Sequence, residues 1–219
     1  MSMKIFIPIK KNSQRVPQKN FRLLNGVPLF MHTLNKLKDF DVCVDSDSED
    51  VISACESLDH VTAYKRPNSL IGDDVSVCDL LEKFIKSPNY EGWPPSRDSH
   101  ICQLHVTSPF LDVDILKNAM SLVDRGYDSV VSCNEVNTRF WRKEQYGYCP
   151  VNHNPTKLEQ TQDLPTYYEE NSVFYIINVD LFLKTKMRIG LNPYFYPLTF
   201  PINLDIDTED DWNLVEKVI

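Results

Sequence analysis

Residues 4–22 read KIFIPIKKNSQRVPQKNFR, an apolar run that leads directly into a loop rich in cations and amide groups. A short apolar run bounded by polar residues is typical of a buried strand. Ligands of open α/β sheets bind beyond the carboxyl ends of the strands, so a cationic loop at that position suits an anion. This stretch therefore predicts both a strand of a buried sheet and a phosphate site at its end.

The rest of the chain alternates short apolar runs with segments of helical periodicity, as in a parallel sheet covered by helices on both faces. The predicted strands are residues 4–9, 41–45, 61–64, 101–106, 129–133 and 172–177. The predicted helices are residues 28–37, 48–58, 75–85 and 113–123. The predicted fold class is α/β, with a doubly wound, mostly parallel sheet. The loops expected to face one crevice are those after Ile9, Asp45, Val106 and Ile177.

Size and charge restrict the possible partners. The 219 residues, 42% of them hydrophobic, are enough for one sizeable core, so a single domain spanning residues 1–219 is predicted. No Asp or Glu precedes Asp39, and the first 38 residues carry +8, so the remainder carries −16 within a net charge of −8. A local basic segment in an acidic chain indicates an anion site, and the pI near 5.1 argues against nucleic acid as a partner.

The same sequence favours a cytoplasmic protein. The first apolar run is too short for the core of a signal peptide, and no stretch approaches the ~20 apolar residues of a membrane span. The six cysteines form no Cys-x-x-Cys pair, and neither they nor the five histidines show metal-ligand spacing. Scattered cysteines of this kind are typical of buried residues in a reducing compartment.

The cationic loop has the residue types that a triphosphate requires. Asn12 tolerates a left-handed backbone better than other non-glycine residues, and Ser13 adds a hydroxyl donor. Lys10 and Lys19 are nine residues apart and are expected to reach opposite sides of the phosphates. The alternative is an ordinary solvated basic loop.

An acidic motif near the end of the chain predicts a cation site. In an extended segment alternate residues share a face, so Asp205 and Asp207 are placed to hold one hard cation, as Mg²⁺ sites with substrate phosphates require. The alternative is structural, because Asp207 or Thr208 suits the cap of a final helix. The two interpretations are compatible.

Several polar turns follow predicted strands, and each is either a site or an ordinary turn. They are Asp45-Ser46-Asp47, Lys65-Arg66-Pro67 and Thr107-Ser108-Pro109.

The excursion 137–170 lacks helical period and is interpreted as a substrate lid, a dimerisation arm or both. Its polar clusters either orient a hydroxylated substrate or make turns; they lie at residues 152–155, 161–164 and 169–172. Residues 88–96 are predicted to be a Pro-rich surface loop.

An ordered set of motifs resembles the acylneuraminate cytidylyltransferases (CMP-sialic acid synthetases) and the related enzymes that activate Kdo. The motifs extend from the first strand to the last helix, and they are residues 8–13, 16–20, 24–29, 45–47, 66–67, 107–109, 128–132, Asn171 and 205–208. The resemblance implies a Rossmann-like fold of the nucleotide-diphospho-sugar transferase type and transfer of CMP from CTP to a 2-keto-3-deoxy sugar acid. It also implies a homodimer formed through the 137–170 arm.

The resemblance assigns roles to individual residues. It implies that Ser13, Lys19 and Asn20 contact the triphosphate, that Arg66 and Ser76 contact the cytidine, and that Asn171 contacts the nucleotide or the sugar. Lys10 and Asn12 complete the predicted nucleotide site, and Mg²⁺ is the predicted cofactor on Asp205 and Asp207. The residues predicted to act in catalysis are Lys10, Lys19 and Asp207. The residues predicted to bind the acceptor are His105, Thr107, His153, Gln162 and Glu170.

Two positions depart from the family pattern. The family commonly has Arg at the position of Lys10, so a bidentate phosphate contact is absent there. Sialic-acid enzymes have Gln where this chain has His105. The acceptor therefore stays open between sialic, legionaminic and pseudaminic type acids and Kdo. The alternative from another class of function is a nucleotide-binding homologue without catalytic activity. Transferases of the sugar-1-phosphate or erythritol-phosphate type are a further alternative, but they are associated with a Gly-rich loop that this chain lacks.

Overall fold

The computed structural model describes residues 3–87 and 99–219, so the loop predicted at residues 88–96 lies outside the described residues. Its strands, in chain order, are β1 (Lys4–Ile9), β2 (Leu23–Leu24), β3 (Val27–Pro28), β4 (Val42–Ser46), β5 (Val61–Lys65), β6 (His100–Leu104), β7 (Ser129–Val136), β8 (Trp141–Glu144), β9 (Gly147–Pro150), β10 (Tyr167–Asn178) and β11 (Pro193–Pro197). Its helices are α1 (Leu29–Lys36), α2 (Glu49–Cys55), α3 (Val77–Lys86), α4 (Val113–Met120), α5 (Val179–Thr185) and α6 (Glu209–Val218).

The main sheet has the order β11-β7-β10-β6-β1-β4-β5, and helices cover both of its faces. α1, α2 and α4 pack their apolar residues into one core, whereas α3 and α5 pack into the core on the opposite face. α6 closes a smaller cluster at one end, in which Trp212 and Val215 bury Leu24 and Leu29. This arrangement confirms the predicted doubly wound α/β fold.

One strand of the main sheet runs against the others. β10 is antiparallel to both of its neighbours, β6 and β7, while the remaining neighbours in the sheet are parallel pairs. The expectation that the loop after Ile177 faces the crevice is therefore wrong. Because β10 is reversed, its beginning, at Glu170 and Asn171, lies toward the carboxyl ends of the parallel strands.

The predicted excursion 137–170 is only partly outside the sheet. β8 and β9 form a small antiparallel hairpin, and a short 3-10 helix follows at Thr161–Asp163. Tyr167 to Glu170, however, already pair with the end of β7, before a bulge in β10. The strand predicted at 172–177 therefore begins earlier, at Tyr167. The sequence pattern missed this first part because its residues are exposed and lack the apolar pattern of a buried strand.

The cysteines and the helices bear on two further expectations. All six cysteines are free, and four are buried, but Cys149 is exposed on β9, so the expectation that all are buried is wrong there. Among the described residues, no helix has the length and apolar character needed to cross a bilayer.

Candidate nucleotide-binding site

The cationic loop leaves β1 at the carboxyl edge of the sheet and ends in a short 3-10 helix at Lys19–Phe21. The left-handed residue of this loop is Gln18, with φ of 50°, and not Asn12 as expected. Gln18 adopts this conformation because the tight turn of the loop falls at its position, where its carbonyl accepts hydrogen bonds from the amides of Phe21 and Arg22. Asn20 is buried and donates from Nδ2 to the Lys10 carbonyl at 2.8 Å, which ties the two ends of the loop together.

Two adjoining clefts at this edge bring most of the predicted site together. They measure about 240 and 210 Å³ and share Lys10, Ser13 and Lys19 in their walls. Asn12 and Arg15 line the first cleft. The predicted residues that line the second cleft, besides the shared ones, are Asn20, Arg66, His105 and Thr107. A continuous crevice with a cationic floor is therefore present where the sequence predicted a triphosphate.

The acidic motif lies against the same loop. The Nζ of Lys19 donates to the Ile206 carbonyl and lies 3.5 Å from Oδ1 of Asp207, while Nη2 of Arg15 lies 2.6 Å from the same oxygen. The sequence reasoning did not single out Arg15, although its charge within the loop was a signal. These contacts place a carboxylate beside the cations that are predicted to hold the phosphates.

Asp205 is held from the opposite side. Its Oδ1 accepts hydrogen bonds from the hydroxyls of Thr107 and Ser108, and the Ile206 amide donates to the Thr107 carbonyl at 3.0 Å. Burial raises the pKa of the Asp205 carboxyl, the Thr107 hydrogen bond opposes this, and the nearby Asp207 charge raises it again. A bound divalent cation would offset both the burial and the Asp207 repulsion that raise this pKa. Asp205 and Asp207 therefore fit Mg²⁺.

The protein supplies only part of a metal shell. Within residues 3–87 and 99–219, no group of three or more His, Cys, Asp and Glu side chains is arranged to hold a metal. Mg²⁺ commonly keeps water and substrate phosphate oxygens when one or two carboxylates bind it. The donor set therefore fits a metal that arrives with a nucleotide.

The final helix is capped by Thr208, as one of the two structural interpretations predicted. Thr208 and Asp211 form a capping box at the start of α6, and Oδ2 of Asp211 also accepts from the Asp207 amide at 3.0 Å. The cap thus fixes the backbone of Asp207, and the structural and functional interpretations of this motif are compatible in the structure.

A buried ion pair supports the second cleft. Nε of Arg66 lies 2.5 Å from Oδ1 of Asp45, its Nη2 donates to the Asp45 carbonyl, and both side chains are nearly inaccessible to solvent. The Arg66 amide also donates to the Ser46 carbonyl at 2.7 Å. The polar turns after β4 and β5 are therefore joined to each other, and Arg66 is rigidly placed in the cleft wall.

His105 lies in the wall of the same cleft and is neutral. Burial lowers the pKa of its imidazole to about 4, and the positive charges of Arg188 and Lys19 act in the same direction. Its Nε2 is buried and has no hydrogen-bond partner among the described residues.

A pH-dependent loss of stability is expected from His105. Its pKa in the folded protein is below the ordinary 6.5, so the unfolded chain binds a proton first, and stability present above pH 6.5 falls as the pH drops toward 4. Between pH 7 and pH 4.5 this group should remove about 2–3 kcal/mol from the free energy of unfolding. Urea unfolding of wild type and His105→Gln at both pH values measures the difference. An equal pH dependence in both proteins would contradict the assignment, and His153→Gln, on the exposed arm, is the control.

Other predicted residues lie outside the two clefts. The hydroxyl of Ser76 caps α3 in a capping box with Asp79. Asn171 is buried and donates from Nδ2 to Oδ1 of Asn134, and Glu170 accepts a hydrogen bond from the hydroxyl of Tyr175 at 2.8 Å. The roles assigned to Ser76, Asn171 and Glu170 stay predictions.

Two predicted acceptor residues lie on the arm. His153 packs edge-on against Trp141, with ring centroids 5.0 Å apart, and Gln162 is exposed in the 3-10 helix and bonds to Gln160. The neighbouring Asn152 is buried and bonds to the backbone of Thr138 and Phe140, which is a turn-making role. Neither predicted residue reaches the crevice within this chain, and their role as acceptor ligands stays a prediction.

A doubly wound sheet with a cationic loop after its first strand and a carboxylate beside that loop is the arrangement of an α/β protein suited to a phosphate-bearing ligand at the carboxyl edge of its sheet. The chain belongs to the cytidylyltransferase family, whose model matches residues 5–218. This membership confirms the predicted family and the predicted class of nucleotidyltransferase.

Comparison with known proteins gives relatives of two lengths. The N-acylneuraminate cytidylyltransferase of Streptococcus agalactiae serotype V is 28% identical over 94% of this chain, which spans only half of that protein's length. The CMP-N,N'-diacetyllegionaminic acid synthase of Legionella pneumophila is 30% identical, over 97% of this chain and 94% of that protein.

Solved structures share the fold at low identity. A CMP:2-keto-3-deoxy-manno-octonic acid synthetase complexed with CTP has a TM-score of 0.65 at 16% identity and matches 99% of this chain and 98% of its own. A 4-diphosphocytidyl-2C-methyl-D-erythritol synthase has a TM-score of 0.67 at 11% identity, with 100% and 99% covered. These likenesses establish the nucleotide-diphospho-sugar transferase type of fold.

Proposed function

We propose that this chain transfers CMP from CTP to the anomeric hydroxyl of a 2-keto-3-deoxy sugar acid of the nonulosonic type and releases pyrophosphate. The observation that carries the proposal is the convergence of Lys19, Arg15 and Asp207 at the end of β1, in a chain of the cytidylyltransferase family. The names of the streptococcal and Legionella relatives support an acceptor of this type.

The residues of the crevice suit this transfer. Phosphoryl chemistry depends mainly on positioning and on stabilising charge, and here Lys10, Arg15 and Lys19 surround the space beside Asp207. The acceptor hydroxyl attacks the α-phosphorus, and the pyrophosphate leaves toward the cationic loop. Lys19, whose side chain is mostly buried, is held by the Ile206 carbonyl and loses little freedom when it binds a phosphate oxygen.

Magnesium is part of the proposal. Asp205 and Asp207 would hold it, and the ion supplies charge neutralisation for the phosphate oxygens when it is bound. The capping box of α6 fixes the Asp207 backbone, while Thr107 and Ser108 fix the Asp205 carboxylate. Both carboxylates are thus oriented by their own chain before any ligand binds.

The test is pyrophosphate release from CTP and Mg²⁺ with N-acetylneuraminic, legionaminic and pseudaminic acids and Kdo. We expect release with one nonulosonic acid, and Asp207→Ala should reduce the rate by about 10²-fold or more, because a charge that holds the metal is lost. Asp210→Asn is the matched control, since Asp210 is exposed in the first turn of α6 and lies outside the carboxylate pair. It should retain the wild-type rate.

The remaining outcomes separate the alternatives. Release with Kdo alone would make the chain a Kdo cytidylyltransferase. Thermal stabilisation by CTP without release on any acid would point to a non-catalytic, nucleotide-binding homologue with a regulatory role. Absence of CTP binding, with ATP, GTP and UTP as comparisons, would overturn the proposal.

We further propose that the chain works as a cytoplasmic homodimer through the 137–170 arm. Support comes from exposed aromatic side chains on and beside the β8–β9 hairpin, where Trp141, Tyr146 and Tyr148 are more than half exposed. The free cysteines suit a reducing compartment. Sedimentation equilibrium of wild type and Tyr148→Glu tests the dimer.

A further inference from the structure

Arg188, which follows α5, has a positive charge with no acidic partner among the described residues. Its Nη1 donates to Oε1 of Gln103 at 3.0 Å, and its guanidinium stacks over the ring of Tyr175 at 3.9 Å from the ring centre. Within residues 3–87 and 99–219, no carboxylate lies within the 4.0 Å of an ion pair with this side chain. A half-buried guanidinium held by two neutral groups is suited to receive an anion.

The groups around Arg188 also lack polar partners. Gln103 lies in β6 and His105 directly follows that strand, and both Nε2 of Gln103 and Nε2 of His105 are buried and unpaired among the described residues. Buried polar atoms are nearly always hydrogen-bonded, so two orphans beside one unpaired cation are unusual. A bound polar ligand would satisfy them.

The sheet explains why these groups lie together beside the cleft. Gln103 pairs with Tyr175 across the β6–β10 ladder, so their side chains lie on the same face. His105 lines the cleft that Lys10 and Lys19 also line, and the charges of both Arg188 and Lys19 lower the pKa of its imidazole. Arg188, which is bonded to Gln103, therefore lies close to His105 and so to one wall of the cleft.

We propose that Arg188 is the residue that recognises the carboxylate of the acid acceptor, with Gln103 holding its guanidinium in position. This inference rests on the proposed function and names the group that selects a sugar acid over a neutral sugar. A planar guanidinium matches a carboxylate with two parallel hydrogen bonds, which a lysine at this position would not reproduce.

Tyr175 and Glu170 position the guanidinium rather than bind the substrate. The Tyr175 hydroxyl donates to Oε2 of Glu170 at 2.8 Å, and this fixes the ring on which Arg188 stacks. Glu170, which the sequence predicted as an acceptor ligand, is therefore assigned a positioning role through Tyr175. A carboxylate in direct contact with the acid acceptor would repel it.

The experiment compares the acid that supports pyrophosphate release with its methyl ester, in wild type and Arg188→Gln. Esterification removes the negative charge of the acceptor and Arg188→Gln removes the positive charge of the protein. We expect each change alone to raise the KM for the acceptor by about 10- to 100-fold, the range for a hydrogen bond to a charged group. In Arg188→Gln the ester and the acid should then bind equally, because the shared contact is already lost.

Further variants separate recognition from a structural role. Stabilisation by CTP and Mg²⁺ should be unchanged in Arg188→Gln, Arg188→Lys should be intermediate for the acid, and Arg125→Gln, an exposed change at the opposite edge of the sheet, should behave as wild type. A full ester penalty that persists in Arg188→Gln would overturn the proposal, as would loss of CTP stabilisation in that variant. Absence of release by wild-type protein with every acid would instead overturn the proposed function, and the inference with it.

Discussion

Lys19→Ala is expected to reduce the rate of pyrophosphate release by about 10³-fold, the upper range for removing one preorganised electrostatic contact. Lys19 is the one loop cation whose side chain is mostly buried, and its Nζ is already fixed by the Ile206 carbonyl beside Asp207. Its loss removes the proposed phosphate contact and one of the two cations beside Asp207. Steady-state kinetics with CTP, Mg²⁺ and the acid that supports release measure the effect.

The matched control is Lys11→Ala, one position beyond Lys10 in the same loop. The Lys11 side chain is exposed, and in the part of the chain that the structure describes only its backbone amide is engaged, with Oδ1 of Asp47 at 2.7 Å. The two variants change the net charge equally, so a general electrostatic effect would lower both rates alike. Lys19→Ala should unfold within about 1 kcal/mol of wild type, and a Lys19→Ala protein with wild-type turnover would rule out the role assigned here.

Arg66→Met is expected to lower the free energy of unfolding by about 3–5 kcal/mol, because it leaves the Asp45 carboxylate buried without its partner. Burial raises the pKa of Asp45, and Arg66 opposes that rise. Without Arg66 the pKa rises further, so the loss of stability should shrink as the pH falls through the raised pKa and the carboxyl becomes neutral. Urea unfolding at pH 7 and pH 5 measures both effects.

The neighbouring residue supplies the control. Lys65 pairs with Glu49 on the surface, and both side chains are 67% exposed. Lys65→Met should therefore change the stability by less than about 1 kcal/mol. The double variant Asp45→Asn, Arg66→Met should recover part of the loss, since no charge stays buried. A small effect of Arg66→Met, equal to that of Lys65→Met, would contradict the buried ion pair.

The strongest sequence signals predicted the fold correctly. β1, β4, β5 and β6 are short apolar runs between helical segments, and each was located to within two residues. β11 was missed. Its aromatic residues between Pro193 and Pro197 are typical of an edge strand, because the amide hydrogens that proline lacks are not needed on the outer side of a sheet. The direction of β10 was also missed, because periodicity indicates a strand without indicating which way it runs.

The candidate site was predictable only in part. Lys10, Ser13 and Lys19 are close in sequence to the end of β1, so a local pattern was enough to bring them together. Arg188 was not foreseen, since it follows α5 and comes close to Gln103 and Tyr175 only through tertiary packing. Contacts of this kind join residues far apart in the chain, and no spacing rule predicts them.

The reversal of β10 has a consequence for how this architecture diversifies. β7 ends at the crevice edge of the sheet and β10 begins there. The segment 137–166 is therefore an insertion whose two ends join the sheet at the same place. Insertions or deletions there leave β1 and the phosphate loop undisturbed. The length and surface of this segment can therefore change along a lineage while the edge of the sheet that carries the cationic loop is conserved.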